Sequence, residues 1–268
     1  MSGRVSGMAF KIALSAGHGK NTAGKRCLKS LDSKETREWV LNSRIADKVE
    51  DLLKDYSGYE LIRLDDRSGA IDISLPKRSN IANNFKANFY LAIHHNAGVN
   101  GGKGGGIMAF VYTKPSVESL EWQRTLYNAL IEKTGLKGNR SMPLAKANLH
   151  ECREPYMPAV LLELGFMDSS TDVPVILTEK YADQCAKAIV EVLVKKGNLI
   201  KKQSVNKTFY KVKVTANALN IRDGAGTNYK INGVITDKGV YTIVEEKNGF
   251  LKLKSGSGWI SKTYTKKV

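Results

Sequence analysis

Four ionisable residues occupy places where an apolar pattern leaves no ordinary position for them. His18 follows a short apolar run in Ala16-Gly17-His18-Gly19, and Glu38 falls on the apolar stripe of a helix-periodic segment. His94 leads the pair His94-His95 at the tip of a second apolar run, and Glu163 sits at the carboxyl end of a third, Ala159-Val160-Leu161-Leu162. Two imidazoles and a carboxylate form the donor set of a catalytic zinc site, which uses three protein ligands and keeps the fourth position for a water whose pKa falls to about 7. A further carboxylate outside the ligand set can then move protons. Each residue alone has a plainer explanation, such as a salt bridge for Glu38 or a hydrogen-bonded strand-end histidine. Together they point to a site. No HExxH or CxxC cluster fixes the ligands locally, and the adjacent histidines leave open which imidazole faces it.

The elements that must position these residues alternate between strand and helix. Phe89 to Ile93 has the near-continuous hydrophobicity of a strand covered on both faces, and open α/β sheets place their sites at the carboxyl ends of the strands. Period-2 alternation sends His94 and Asn96 to one side of that strand and His95 to the other. Phe10 to Ala16 reads as a first strand, with Gly17 and Gly19 giving the backbone freedom to turn. Gly19 to Lys25 has the GxxxxGK phosphate-loop spacing, but Arg26 stands where a Ser or Thr is needed and no helix opens there. Instead Asp32-Ser33-Lys34-Glu35 predicts a capping-box start to a helix over about Ser33 to Asp55. Its stripe is Leu41, Ile45, Val49 and Leu52, with Glu38 inside it and Glu35 near its edge. Further strands are predicted at Tyr59 to Leu64 and Ile107 to Tyr112. Helices are predicted at Pro76 to Phe85, Val117 to Thr134 and Glu179 to Lys195, and Gly98 to Gly106 reads as a flexible loop. This alternation predicts an α/β fold with a mostly parallel sheet flanked by helices.

After Lys195 the chain becomes basic and polar, as a linker would. From Tyr210 to Tyr264 short β-branched and aromatic runs separated by Gly, Asn and Asp predict a small all-β module. The 268 residues carry 42 Lys and Arg against 26 Asp and Glu, a formal net charge of +16, which predicts a polyanionic partner. Nucleic acid is disfavoured, because no recognition helix, RNP-like strand or zinc-finger spacing accompanies the charge. No apolar run approaches the roughly 18 to 20 residues needed to span a bilayer, and Met1 to Phe10 lacks the apolar region of a secretory signal. The opening MSGRVSG reads as an appended or disordered leader before an original start at Met8. The three cysteines, Cys27, Cys152 and Cys185, form no CxxC pair and are expected to be reduced thiols.

Taken together, Ala16-Gly17-His18-Gly19, Glu38 with Asn42, Arg78 with Ala82-Asn83, Ile93-His94-His95-Asn96-Ala97 and Pro158 to Phe166 resemble the zinc-dependent N-acetylmuramoyl-L-alanine amidases of the amidase_3 type. The resemblance runs from about Phe10 to Lys195. It implies that His18, Glu38 and His94 hold Zn2+ and that Glu163 is catalytic. The family pattern selects Glu38 over Glu35 and His94 over His95, while His150 matches no ligand position. Ala218 to Gly224 and Gly258-Trp259-Ile260 resemble a bacterial SH3 domain. The implied organisation is a zinc amidase domain over 9–196, a basic linker over 197–207 and an SH3-like wall-binding barrel over 208–268. The implied protein is a peptidoglycan hydrolase of the endolysin or autolysin kind, acting on Gram-positive walls, with anionic wall polymers as further partners. It is expected to be made in the cytoplasm without a signal peptide and to reach the wall after release. The alternatives are a zinc peptidase cutting elsewhere in the wall, or a wall-binding protein without catalysis.

Overall fold

The computed structural model describes residues 9–202 and 210–268. The leader read in residues 1–7, the start at Met8 and linker residues 203–207 lie outside the described residues. The chain divides into two compact units between Lys202 and Gln203.

The first unit runs β1 (Phe10–Ala16), α1 (Glu38–Leu53), β2 (Tyr56–Ser57), β3 (Tyr59–Arg63), α2 (Leu75–Phe85), β4 (Phe89–Asn96), β5 (Ile107–Val111), α3 (Val117–Thr134), β6 (Leu144–Lys146), α4 (His150–Arg153), β7 (Ala159–Phe166), α5 (Val173–Ile176), α6 (Glu179–Gly197) and β8 (Ile200–Lys201). Six of these strands form one sheet in the order β3-β1-β4-β7-β5-β6. Every neighbouring pair is parallel except β5 against β7. The expected α/β sheet flanked by helices is therefore present, with the last two strands in that order, β5 and β6, running opposite to the other four.

Alternation along the central strands sorts side chains to two cores. Leu14 and Ala16 of β1, Leu91 and Ile93 of β4, and Leu162 and Leu164 of β7 pack in the larger core with α1, α3 and α6. Ala13, Tyr90, Ala92, Ala159 and Leu161 face the opposite way, toward Ala82 of α2 and Cys152 of α4. The sheet is covered on both faces, which is why β4 reads as an unbroken apolar run. Two of the long helices begin at side-chain caps, Ser116 accepting from the Ser119 amide and Thr178 from that of Tyr181.

Several boundaries differ from the sequence expectation. Helix α1 begins at Glu38, because Glu35 adopts a left-handed φ of 48° that no helix start accommodates. The Asp32 carboxylate accepts from the amides of Lys34 and Thr36 and so closes a turn instead of capping the helix. The excursion over residues 25–37 returns on itself, with the Glu38 amide donating to the Lys25 carbonyl at 3.0 Å. Strand β7 does not stop at Leu162 but continues through Glu163 to Phe166. Residues 197–202 are not linker: Gly197 ends α6, and Ile200–Lys201 pairs with Tyr56–Ser57. The glycine-rich loop is densely tied. Asp168 Oδ2 accepts from the amides of Gly98, Val99 and Asn100, and Asp172 Oδ2 from that of Gly106.

The second unit is all β: β9 (Tyr210–Val214), β10 (Leu219–Arg222), β11 (Ile231–Ile235), β12 (Val240–Lys247), β13 (Phe250–Leu253), β14 (Trp259–Ser261), a 3-10 turn at Lys262–Tyr264, and β15 (Thr265–Lys267). They form one seven-stranded sheet in the order β11-β10-β14-β13-β12-β9-β15, antiparallel throughout. Its core gathers Val212, Val214, Leu219, Ile235, Ile243, Leu251, Leu253 and Ile260.

Where β1 and β4 end side by side, Gly17 fills a steric requirement. A Cβ on Gly17 would lie 2.1 to 2.5 Å from atoms of the His94 ring. Replacing Gly17 by Ala forces that ring to move. Gly17→Ala is expected to cost about 1–3 kcal/mol, the range for overpacking a filled interior, read from the urea unfolding of the first unit.

Candidate metal centre

Each of the four singled-out residues is delivered by a different element. His18 lies just past β1, Glu38 in the first turn of α1, His94 on β4 and Glu163 on β7. Ligand atoms of His18, Glu38 and His94 all lie within 4.8 Å of one another. The two imidazoles meet edge to face, with ring centroids 5.0 Å apart. Glu163 is the direct strand neighbour of His94 and, by the alternation of β7, shares the face of Ala159 and Leu161.

The Glu38 carboxylate is almost wholly buried and its two oxygens are treated differently. Oε1 accepts from the His95 backbone amide at 3.2 Å and from Asn42 Nδ2 at 3.4 Å, and lies 3.1 Å from His94 Nδ1. Oε2 has no hydrogen bond. Its nearest partners are the neutral His18 Nε2 at 3.4 Å and the Lys25 ammonium at 3.7 Å. A buried carboxylate oxygen without a donor is costly, and it converges with two imidazoles. The residues therefore fit a His/Glu/His metal site, the nitrogen and oxygen donor set that suits zinc.

Charge in the site follows from burial and pairing. Burial works against the Glu38 anion, but the hydrogen bond and charge of His94, with His18 and Lys25, outweigh it and lower the pKa to about 2. His94 is likewise opposed by burial, yet contacts with Glu151 and Glu38 raise its pKa to about 10. His18 is held neutral, its pKa lowered to about 4 chiefly by burial. Glu163 shifts the other way. Burial raises its pKa to about 8, Glu38 adding to the effect and His94 and Lys25 opposing it. Its Oε2 is buried and without a hydrogen bond. A carboxylate perturbed in this way next to a cluster of metal-type ligands is suited to exchanging a proton near neutral pH.

The backbone around His18 is special. His18 has φ 65°, an unusual region for a residue with a Cβ. The freedom to turn expected of the flanking glycines is thus used at the histidine itself. Gly19 instead leaves room for the backbone of Asp72, 3.0 Å from where its Cβ would stand. The Arg78 guanidinium, buried in full, donates to the carbonyls of Ala16, His18 and Ile73 at 2.6, 3.1 and 2.8 Å.

The other histidines lie outside the cluster. His95 turns to the α1 face, where its Nδ1 is 2.8 Å from Asn42 Oδ1, and burial lowers its pKa to about 3. His150 pairs with the Ser79 hydroxyl at 3.2 Å. The three cysteines are free and buried, and burial pushes each thiol up to about 12. One residue that sequence reasoning passed over belongs here: Glu151 Oε2 lies 3.0 Å from His94 Nε2. Its sequence setting, Leu149-His150-Glu151-Cys152-Arg153, reads as a polar connection, and the neighbouring Cys152 was its one sign of burial. Beside the cluster a cleft of about 310 Å³ is lined by His18, His94, Glu151, Arg78 and residues 72–75.

Comparison with known proteins places the chain in a family. Residues 12–195 match the family Amidase_3, N-acetylmuramoyl-L-alanine amidase. The chain is 29% identical over 209 residues to a sporulation-specific N-acetylmuramoyl-L-alanine amidase of Bacillus subtilis (strain 168), covering 77% of this chain and 74% of that protein. It is 28% identical over 195 residues to an endolysin of Bacillus phage SPP1, covering 73% of this chain and 69% of that protein. Among solved structures, it resembles an N-acetylmuramoyl-L-alanine amidase from Clostridium difficile 630 with a TM-score of 0.64 and 28% identity, over 72% of this chain and 98% of that one. With most of the first unit matched and the sheet-end cluster in place, the chain belongs to the N-acetylmuramoyl-L-alanine amidase family and is a peptidoglycan amidase.

Proposed function

We propose that the protein is a zinc-dependent amidase that cuts the bond between the lactyl group of N-acetylmuramic acid and the L-alanine of the stem peptide. The observation that carries this reading is the buried Glu38 Oε2, without a hydrogen bond and 3.4 Å from His18 Nε2, in a cluster of Glu38, His18 and His94 beside a Glu163 carboxyl whose pKa is raised. His18, Glu38 and His94 would hold the metal. When bound, zinc supplies Lewis acidity that favours ionisation of water and polarises the scissile carbonyl.

The chain's own residues manage the protons. Glu163 accepts a proton from the attacking water, whose oxygen bonds to the amide carbon, and delivers it to the alanine nitrogen as the carbon–nitrogen bond breaks. That second transfer is required because an amide anion is a poor leaving group. A carboxyl with a pKa near 8 is matched to both halves of the task. The cleft lined by residues 72–75 supplies room for the substrate on the open side of the ligands.

The second unit is read as an SH3-like wall-binding module, and the whole as a lysin of Gram-positive walls, in keeping with the similarity to a phage endolysin. Among the described residues no helix is long and apolar enough to cross a membrane. One face of the second unit supports an anionic wall polymer as a partner. Lys213 on β9 stands directly opposite Lys266 on β15, and Lys211 lies two residues along on the same face. All three are exposed, and among the described residues none forms an ion pair with an acidic group. Like charges directly opposite in a sheet are destabilising, so a ligand carrying repeated negative charge would relieve the face.

Three outcomes are expected. Glu163→Gln retains stoichiometric zinc and fold but loses at least 100-fold of turnover, the scale of a general acid–base contribution (about 10²–10⁴); unchanged release of N-terminal L-alanine from purified peptidoglycan removes Glu163 from the mechanism. His94→Ala loses the metal, measured by elemental analysis after gel filtration, and retention of zinc with activity moves the ligand to His95. Replacing Lys211, Lys213 and Lys266 together by Gln reduces co-sedimentation with purified walls, most clearly at low salt. Equal sedimentation of variant and parent, on walls with or without their phosphate polymers, eliminates that face as the anchor.

A further inference from the structure

Behind the ligands lies a buried hydrogen-bond chain that the catalytic reading does not use. Glu151 is 3% exposed. Its Oε1 accepts from the hydroxyls of Ser15 and Tyr90, each at 2.7 Å, and its Oε2 faces His94 Nε2 at 3.0 Å. Arg78 Nη1 donates to the same Ser15 hydroxyl at 2.8 Å, while its Nη2 donates to the His18 carbonyl. The chain thus runs from the ring of one histidine to the backbone of the other.

We propose that Glu151 is a positioning residue for the metal centre and that Arg78, behind it, completes a brace holding both histidines. The inference rests on the metal reading above. An ionised carboxylate only accepts hydrogen bonds, so His94 Nε2 must donate to Glu151. That sets the ring's orientation and turns Nδ1 toward Glu38, 3.1 Å from Oε1. A carboxylate on the far nitrogen of a ligating imidazole fixes its tautomer and raises its basicity. Rotation of the Glu151 carboxylate is blocked in turn by two hydroxyl donors on its other oxygen. The same brace acts on His18 through the main chain. The left-handed φ of 65° persists only where surrounding contacts over-determine it, and the Arg78 bond to the His18 carbonyl is such a contact. Glu151 comes from the four-residue helix α4, remote in sequence from every ligand.

A purely structural role, neutralising buried Arg78, is the competing explanation, and zinc affinity separates the two. The full-length parent, Glu151→Gln and Tyr90→Phe are stripped with chelator and titrated with zinc against a chromophoric competitor. The visible spectrum of the cobalt-loaded forms and urea unfolding of the metal-free forms are recorded in parallel. Glu151→Gln keeps the side chain's shape and removes its charge, and is expected to weaken zinc 10- to 100-fold, the usual range for such partners, and to shift the cobalt bands. Tyr90→Phe removes one donor from Oε1 and is expected to weaken zinc by a smaller factor in the same direction. A loss of urea stability with zinc affinity and cobalt spectrum unchanged overturns the proposal. If Glu151→Gln does not fold, Tyr90→Phe decides, and parental zinc affinity in that variant overturns it. A parent that takes up no zinc overturns the metal reading together with this inference, whereas zinc bound equally by parent and variants overturns this inference alone.

Discussion

The burial of the Glu38 carboxylate is the constraint to which the rest of the first unit answers. One anionic charge sits at the start of α1 with almost no access to water, and isolated burial of such a charge is prohibitive. The fold compensates one oxygen in full, through the His95 amide, Asn42 and His94. The other is left to His18 and Lys25. This asymmetry is what suits a buried anion to the part of a ligand. The compensated oxygen fixes the carboxylate plane, and the uncompensated one keeps its capacity for a cation. A fully satisfied carboxylate in the same place would be a structural feature without chemistry.

Delivering four groups to one point requires the sheet. Parallel strands β1, β4 and β7 end side by side, so residues at their carboxyl ends are neighbours whatever their separation along the chain. The two-faced core then decides direction. Odd-numbered positions of β4 from Phe89 to His95 turn to α1, α3 and α6, and even-numbered ones from Tyr90 to His94 to α2 and α4. Glu38 reaches His94 because the first turn of α1 stands at the end of β4, where the same carboxylate oxygen accepts from the His95 amide and lies 3.1 Å from His94 Nδ1. The close approach of Gly17 to the His94 ring belongs to the same geometry, since a ring held at a strand end displaces whatever side chain its neighbour might carry.

The second unit follows a different logic. Its core is a single small set of aliphatic side chains, and its outward positions are lysine-rich. The Lys213–Lys266 pairing shows charge arranged at some expense of sheet stability, the opposite of the compensated charge around Glu38. One unit concentrates and balances charge in its interior, while the other leaves it on display.

Periodicity and residue chemistry determined much of this protein from the sequence alone. An apolar run bounded by glycine and histidine has few options besides a buried strand, so β1, β4 and the candidates His18 and Glu163 were legible, as was Glu38 on its helical stripe, while the choice of His94 over His95 came from the family resemblance. Helical periodicity also marked α3 and α6. Legibility failed where a local rule yielded to a distant contact. Asp32 to Glu35 has the pattern of a helix start, but the 25–37 excursion closes on itself and leaves Glu35 in a left-handed conformation. Residues 197–202 have linker composition, yet find a strand partner in Tyr56–Ser57. Glu151 sits in a stretch that reads as polar connection, and its burial comes from Ser15, Tyr90 and His94, residues 57 or more positions away. Local sequence encodes the direction and spacing of side chains along one element, and it singled out the residues that the fold brings together at the sheet's end. Which partners surround each buried charge depends on how separate elements meet, and only the tertiary structure decided that.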